Sequence, residues 1–398
     1  MRLKIQDSGF RIQDSRLTRR ELLRTAGCAG VCLPFMVYAA PVVIASAARR
    51  EEEKSEHKGI FVVKEVAYYK KLKNKQVECE TCPKKCKVGD QERGYCGNKE
   101  NRNGKYVTLV YGNPCAMHVD PIEKKPFFHF LPGTSAFSIS TAGCNFNCKF
   151  CQNWDISQSR PEQTPNTKLL PADVAYYAKR SNSESIAYTY GEPVVFYEYM
   201  YDCAVEGHKS GVRSVMISNG YIEEKPMRKL CKVLDAVKID FKAYTDKFYK
   251  DTCDGTLKPV LDVLVLLKEI GVWFEMVYLV VPTLNDNMSD IKKMTAWIMK
   301  NLGPDVPLHF TRFHPTYLLK NLPVTPVKTL EAARRTALDG GMHYVYVGNV
   351  VGHEGENTYC PKCSKVVIGR IGYTLSENSI DKNGKCKFCR TPIAGVWK

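Results

Sequence analysis

Ala136-Phe-Ser-Ile-Ser-Thr-Ala-Gly-Cys144-Asn-Phe-Asn-Cys148-Lys-Phe-Cys151-Gln-Asn-Trp154 runs from an apolar, strand-like pattern directly into a C-x3-C-x2-C loop. Three thiolates at this spacing leave one iron of a [4Fe–4S] cube without a protein ligand, much as a catalytic zinc site keeps one position open. Gly143 suits a tight exit from the strand, and Phe150 can shield a cluster from water. A zinc ion with a distant fourth ligand is the competing reading, and the aromatic residue before the third cysteine favours the cluster.

Working outward, apolar or β-branched runs recur at 136–140, 185–190, 213–218, 236–242, 272–281, 306–312 and 343–347. Helical periodicity falls between them at 194–209, 223–234, 257–270, 289–302 and 327–339. Such repeated alternation predicts an α/β fold with a parallel sheet and helices outside it, in the manner of a partial (β/α)6 TIM-type barrel. Barrels of this kind keep their chemistry at the C-terminal ends of the strands. The three cysteines follow the first run, and Gly191-Glu192-Pro193 follows the second. Asn219 follows the third, Asp240 and Lys242 end the fourth, and Thr283–Asn285 follow the fifth. Arg312 and His314 end the sixth, with His309 close by, and Asn349 follows the seventh. All of these are expected at one rim. His309, Arg312 and His314 could bind substrate or move protons, although a hydrogen-bonded rim histidine is the more common outcome, and no residue is singled out as substrate acid or base.

Residues 130–350 resemble the radical S-adenosylmethionine (SAM) superfamily and are similar to glycyl-radical-enzyme activases such as the pyruvate formate-lyase activating enzyme. Asp120-Pro-Ile-Glu-Lys-Lys-Pro-Phe-Phe-His-Phe-Leu-Pro-Gly133, Cys151-Gln-Asn-Trp154 and Tyr344-Val-Tyr-Val-Gly-Asn349 further resemble the radical SAM member of the AmmeMemoRadiSam system. That resemblance covers roughly residues 75–398. It implies a [4Fe–4S] cluster on Cys144, Cys148 and Cys151, and reductive cleavage of SAM. Glu192 would accept a hydrogen bond from the SAM amino group, Asn219 would lie near the ribose, and Asp240 and Lys242 would contact the ribose and carboxylate side. Tyr190-Gly191-Glu192 departs at its first position from the superfamily's Gly-Gly-Glu, so Glu192 carries more weight than Gly191. The implied partners are a low-potential electron donor such as flavodoxin or ferredoxin, a Memo-like protein and an AMMECR1-domain-like protein. Two rival readings are a glycyl-radical-enzyme activase acting on a partner protein, and a nucleic-acid-binding zinc-ribbon protein whose barrel is inactive.

Seventeen cysteines in 398 residues need a metal explanation rather than a disulfide scaffold, because eleven fall in three tight groups. Cys360, Cys363, Cys386 and Cys389 form two C-x2-C knuckles, the pattern of a structural zinc site. Cys79, Cys82, Cys86 and Cys96 fit either zinc or an auxiliary iron–sulfur cluster, with zinc favoured. Cys115 and His118 are nearby candidates. Cys28, Cys32, Cys115, Cys203, Cys231 and Cys253 read as incidental.

The formal charge of +16 makes no strong case for nucleic acid. Nine Lys/Arg against three Asp/Glu fall within the first 50 residues, so six of those charges belong to a separate segment. With metal-bound thiolates counted, the rest falls to roughly +5. Within residues 1–48, Thr18-Arg19-Arg20-Glu21-Leu22-Leu23-Arg24 resembles a twin-arginine signal, and Ala45-Ser46-Ala47 resembles a cleavage site. Pro34 and Pro41 argue against a transmembrane span. The signal points to export or membrane association, whereas SAM chemistry points to the cytoplasm. The Ile-Gln-Asp-Ser repeat at 5–8 and 12–15 suggests an over-extended start. The expected organisation is a charged linker at 49–58, a Cys-rich module at 59–125, the barrel at 126–352 and a zinc-ribbon-like tail at 353–398. Deletion of residues 1–48 should preserve soluble, cluster-binding protein; insoluble expression of that truncation would contradict this organisation.

Overall fold

The computed structural model describes residues 62–398. The signal-like segment and the charged linker lie outside the described residues. The seven apolar runs become seven strands: β8 (Ser135–Ser140), β9 (Ser185–Tyr188), β10 (Arg213–Ser218), β11 (Ala236–Asp240), β12 (Trp273–Val280), β13 (Leu308–Arg312) and β14 (Val345–Gly348). They pair in parallel and in chain order, giving the partial-barrel sheet that the alternation predicts. An eighth strand, β7 (Ala116–Pro121), adds to β8 in antiparallel fashion at the sheet's edge. The Cys-rich segment before it makes two small antiparallel sheets. One pairs β1 (Val62–Glu65), β6 (Lys105–Tyr111) and β5 (Lys99–Arg102); the other pairs β2 (Tyr69–Lys71), β3 (Val77–Cys79) and β4 (Lys87–Val88). The expected boundary at residue 125 therefore falls after a strand that belongs to the barrel sheet.

The helices follow from apolar spacing. In α4 (Leu257–Ile270), Val260, Val263, Leu264 and Leu267 recur at helical intervals and are buried. Gly271 ends the helix at φ 81°, a left-handed conformation that glycine adopts without a Cβ penalty, and its N–H bonds the Leu267 carbonyl. Packed in the same way are α2 (Tyr197–Lys209), α3 (Glu224–Leu230), α5 (Met288–Asn301) and α6 (Val327–Asp339). One helix, α1 (Pro171–Arg180), has no counterpart in the periodicity. Its buried face is only Val174, Ala175 and Ala178, and its start rests on Pro171 and on the Asp173 carboxylate accepting from the Leu170 N–H. Among the described residues, no helix is long and apolar enough to cross a membrane.

The barrel floor corrects one expectation. His309 is the second residue of β13, at the end opposite the cysteine loop, and not at the rim. It is buried against Glu275 at 2.8 Å. Both Glu275 oxygens also accept backbone N–H groups, from Phe128 and His129. The floor is thus plugged by the Phe-Phe-His-Phe segment, and the C-terminal tail closes over it. Arg370 on β16 (Val366–Ile371) donates to the Phe128 carbonyl at 2.7 Å. Val396 and Leu131 share a backbone bond of 2.8 Å. β15 (Thr358–Tyr359), β16 and β17 (Thr374–Asn378) make the tail's antiparallel sheet.

His129 sits in this plug with its ring bonded to the Ala394 carbonyl and the Tyr346 hydroxyl. Burial outweighs the nearby Glu275 charge and pushes its pKa down to about 4. The unfolded chain, with an ordinary histidine near 6.5, takes up a proton that the folded state refuses. Stability from this site is therefore complete above about pH 6.5 and lost as pH falls towards 4, at about 1.4 kcal/mol per pH unit. Urea unfolding between pH 7 and pH 5 should show a steeper acid loss for wild type than for His129→Gln. Parallel slopes would refute the assignment.

Candidate active site

The cysteine loop leaves β8 through Gly143, at φ 94°. A Cβ there would stand 2.4 Å from the Cys96 carbonyl oxygen, so the close approach of the two segments requires glycine. The loop is fastened from several sides. Gly143 N–H bonds the Ile156 carbonyl at 2.9 Å, and Asn98 Nδ2 donates to the Ala142 carbonyl at 2.9 Å. Asn147 and Lys149 donate to the carbonyls of Cys253 and Thr252, at 3.0 and 2.9 Å. These acceptors sit on the π-helical turn Tyr249–Cys253 beyond β11, a kind of irregularity common at functional sites. The same turn brings Cys253 close beside Cys148. Cys253 thus adjoins the loop, and its separation of about a hundred residues leaves no spacing signal in the sequence.

Glu192 caps the 3-10 turn Pro193–Phe196 and is buried. One carboxylate oxygen accepts from the Val194 N–H (3.0 Å) and the Ser218 hydroxyl (2.7 Å), the other from the Asn219 N–H (2.8 Å). Burial pushes its pKa up to about 7, against the pull of those donors. Three of the carboxylate's four lone-pair sites are thus taken, and the oxygen that accepts from Asn219 keeps one for a ligand. Asn219 donates from Nδ2 to Asn145 Oδ1 at 2.8 Å, so the residue after the third parallel strand is tied to the cysteine loop.

At the end of β11, Asp240 lies between two lysines. Lys238 reaches one of its oxygens, and Lys242 lies 3.6 Å from the other. Burial alone would raise the Asp240 pKa, and the two cations bring it below the ordinary value. Lys238 escaped the sequence reading, although residues two apart on a strand share a face. Its pKa is lowered by burial. Lys242 is held protonated despite burial by Asp240 and the neighbouring Cys148 thiolate.

Other rim residues serve the backbone. Asn285 Nδ2 donates to the carbonyls of Lys242 and Leu279, at 2.8 and 2.9 Å. Arg312 bonds the Thr325 carbonyl and Asn349 the Arg312 carbonyl, while His314 is exposed. Cysteine loop, carboxylate and charged triplet thus converge where the strands end.

A family model described as the radical SAM superfamily matches residues 138–298. An uncharacterized protein of Methanocaldococcus jannaschii is 45% identical over 332 residues, covering 83% of this chain and 99% of that one. The chain belongs to the radical SAM superfamily. The chain is also 26% identical over 163 residues to the pyruvate formate-lyase-activating enzyme of Clostridium pasteurianum, covering 40% of this chain and 67% of that enzyme. Among solved structures, a radical SAM methyltransferase from Sphaerobacter thermophilus shares 15% identity at a TM-score of 0.45, covering 57% of this chain and 71% of that one. A radical SAM domain implies an iron–sulfur, SAM-dependent enzyme that takes electrons from a reductant.

The two remaining cysteine groups are each brought together in space. In the tail, Cys360 and Cys389 lie 3.5 Å apart and Cys363 and Cys386 3.8 Å apart, with all four sulfurs within 4.8 Å of one another. Cys79, Cys82, Cys86 and Cys96 line a single cavity, whereas Cys115 and His118 do not border it.

Gly143→Ala should strain this radical SAM protein at its tightest contact, by about 1–3 kcal/mol. Reconstituted variant should bind clearly less iron than wild type. Undiminished iron content and Tm would show that the close approach is dispensable.

Proposed function

We propose that this chain is a SAM-cleaving radical enzyme whose cluster ligands are Cys144, Cys148 and Cys151. The supporting observation is a three-thiol loop at the strand-end rim, hydrogen-bonded through Asn145 and Asn219 to the buried Glu192 carboxylate. The trio fits a cube better than one ion, since its sulfurs are not gathered within 4.8 Å as the tail sulfurs are. Cys144, Cys148 and Cys151 would hold a [4Fe–4S] cluster, which when bound and reduced would supply the electron for cleaving a sulfonium C–S bond of SAM.

The chain's own residues bind, orient and exclude water. Glu192 accepts from the SAM amino group; Ser218 and the Asn219 N–H hold its carboxylate in place. Asn219 shapes the ribose side through Asn145. Asp240 and Lys242 face the ribose and carboxylate, with Lys238 fixing Asp240. Phe146 and Phe150, both buried, keep the loop dry. The substrate is not assigned. The AmmeMemoRadiSam resemblance supports a Memo-like and an AMMECR1-domain-like protein as partners, and a flavodoxin- or ferredoxin-type donor as the electron source. The tail cysteines fit a structural zinc, because four bonds of about 2.3 Å in a tetrahedron place sulfurs roughly 3.8 Å apart.

A second reading, activation of a glycyl-radical enzyme, is favoured by the 26% identity to the Clostridium pasteurianum enzyme. Its signature is a glycyl doublet in EPR after mixing with a partner protein.

Reduced, anaerobically reconstituted protein should convert SAM to 5′-deoxyadenosine. Substitution of Cys144, Cys148 or Cys151 by Ala should abolish it, and Glu192→Gln should weaken SAM binding about tenfold, the worth of one charge-assisted hydrogen bond. No 5′-deoxyadenosine from wild type would overturn the proposal.

A further inference from the structure

Three cysteine groups in one molecule allow an internal comparison of sulfur spacing. The four tail sulfurs crowd within 4.8 Å, as thiolates sharing one ion must. The Cys144 trio is spread more widely, as suits thiolates that each bind a different iron. The N-terminal four follow the second pattern. Among the described residues, the tail four are the one group whose ligand atoms lie that close together.

Cys79, Cys82, Cys86 and Cys96 instead line the walls of one cavity. A zinc ion holds its four sulfurs in contact across it. A cube of iron and sulfide holds its four thiolates further apart, each on its own iron. The walls suit a cluster. Val194, Val195 and Tyr106 are apolar and buried, and the buried Lys99 sets a cation among the thiols, bonded to Thr81 Oγ1 at 3.1 Å. That cation offsets part of the negative charge that four thiolates bring. The site also adjoins the three-thiol loop. Asn145 of the cysteine loop lines the cavity, the Cys96 carbonyl packs on Gly143, and Cys96 and Cys144 border one surface pocket.

We propose that Cys79, Cys82, Cys86 and Cys96 ligate a second [4Fe–4S] cluster, coordinated wholly by protein and set beside the SAM-binding one. With four thiolates, none of its irons is open to SAM.

The test uses the full chain, reconstituted with iron and sulfide without oxygen. The triple variant C144A/C148A/C151A should retain about four iron and four sulfide per chain. Its reduced EPR signal should not respond to SAM. The double variant C79S/C82S should lose about half of the wild-type iron yet keep a SAM-responsive signal. Wild type with about four irons and two zinc ions, or a triple variant with zinc and no iron, would overturn the proposal. The wild-type count holds even if a variant fails to fold. A wild type with no SAM-responsive signal but with iron retained in the triple variant would refute the SAM-cleavage reading and leave this one standing.

Discussion

The approach of Gly143 to the Cys96 carbonyl is the contact on which the arrangement of the site depends. A side chain at position 143 would collide there, at 2.4 Å, and the backbone is held at φ 94°. Because that approach is possible, the three-thiol loop and the four-thiol cavity share a wall, and Asn98 can bond across it to Ala142. The loop's opposite flank is fixed by two backbone bonds from the π-helical turn, which also delivers Cys253 to Cys148. A metal-binding loop gains precision from such support, since ligands left to fray would not hold sulfur positions.

The two ends of the sheet use polar groups differently. At the floor, Glu275, His309, His129 and Arg370 are buried and bonded mainly to one another and to backbone, with the Phe-Phe-His-Phe plug between barrel and tail. Such a network specifies how the segments dock. At the rim, Glu192 carries a raised pKa and the Lys238–Asp240–Lys242 triplet carries two cations on one carboxylate. Perturbed groups of that kind cluster where chemistry is done. The tail packs on the floor, so its cysteines lie at the opposite end of the sheet from the three-thiol loop.

Much of the fold was legible before any coordinates. Seven strands, their order and five helices follow from runs and periods in the chain, because burial on a sheet or a helix imposes a local repeat. The helix at Pro171 was hidden because its buried face is made of small residues. His309 lies at the floor because β13 begins only at Leu308, so within the apolar run at 306–312 it is the second strand residue and not a rim residue. Asn285, Arg312 and Asn349 sit near the rim as expected, yet their side chains hold loops.

Sequence alone determined the cysteine groups, the alternation that builds the parallel sheet, and Glu192 after its second strand. These are short-range facts, written in spacings of two to four residues or in the period of a helix. Tertiary structure alone decided that Cys253 meets Cys148, that Lys238 fixes Asp240, that Asn219 is tied to Asn145, and that two cysteine sites adjoin. Those contacts join mostly distant residues, and the close packing of a folded interior, rather than any local pattern, brings them together.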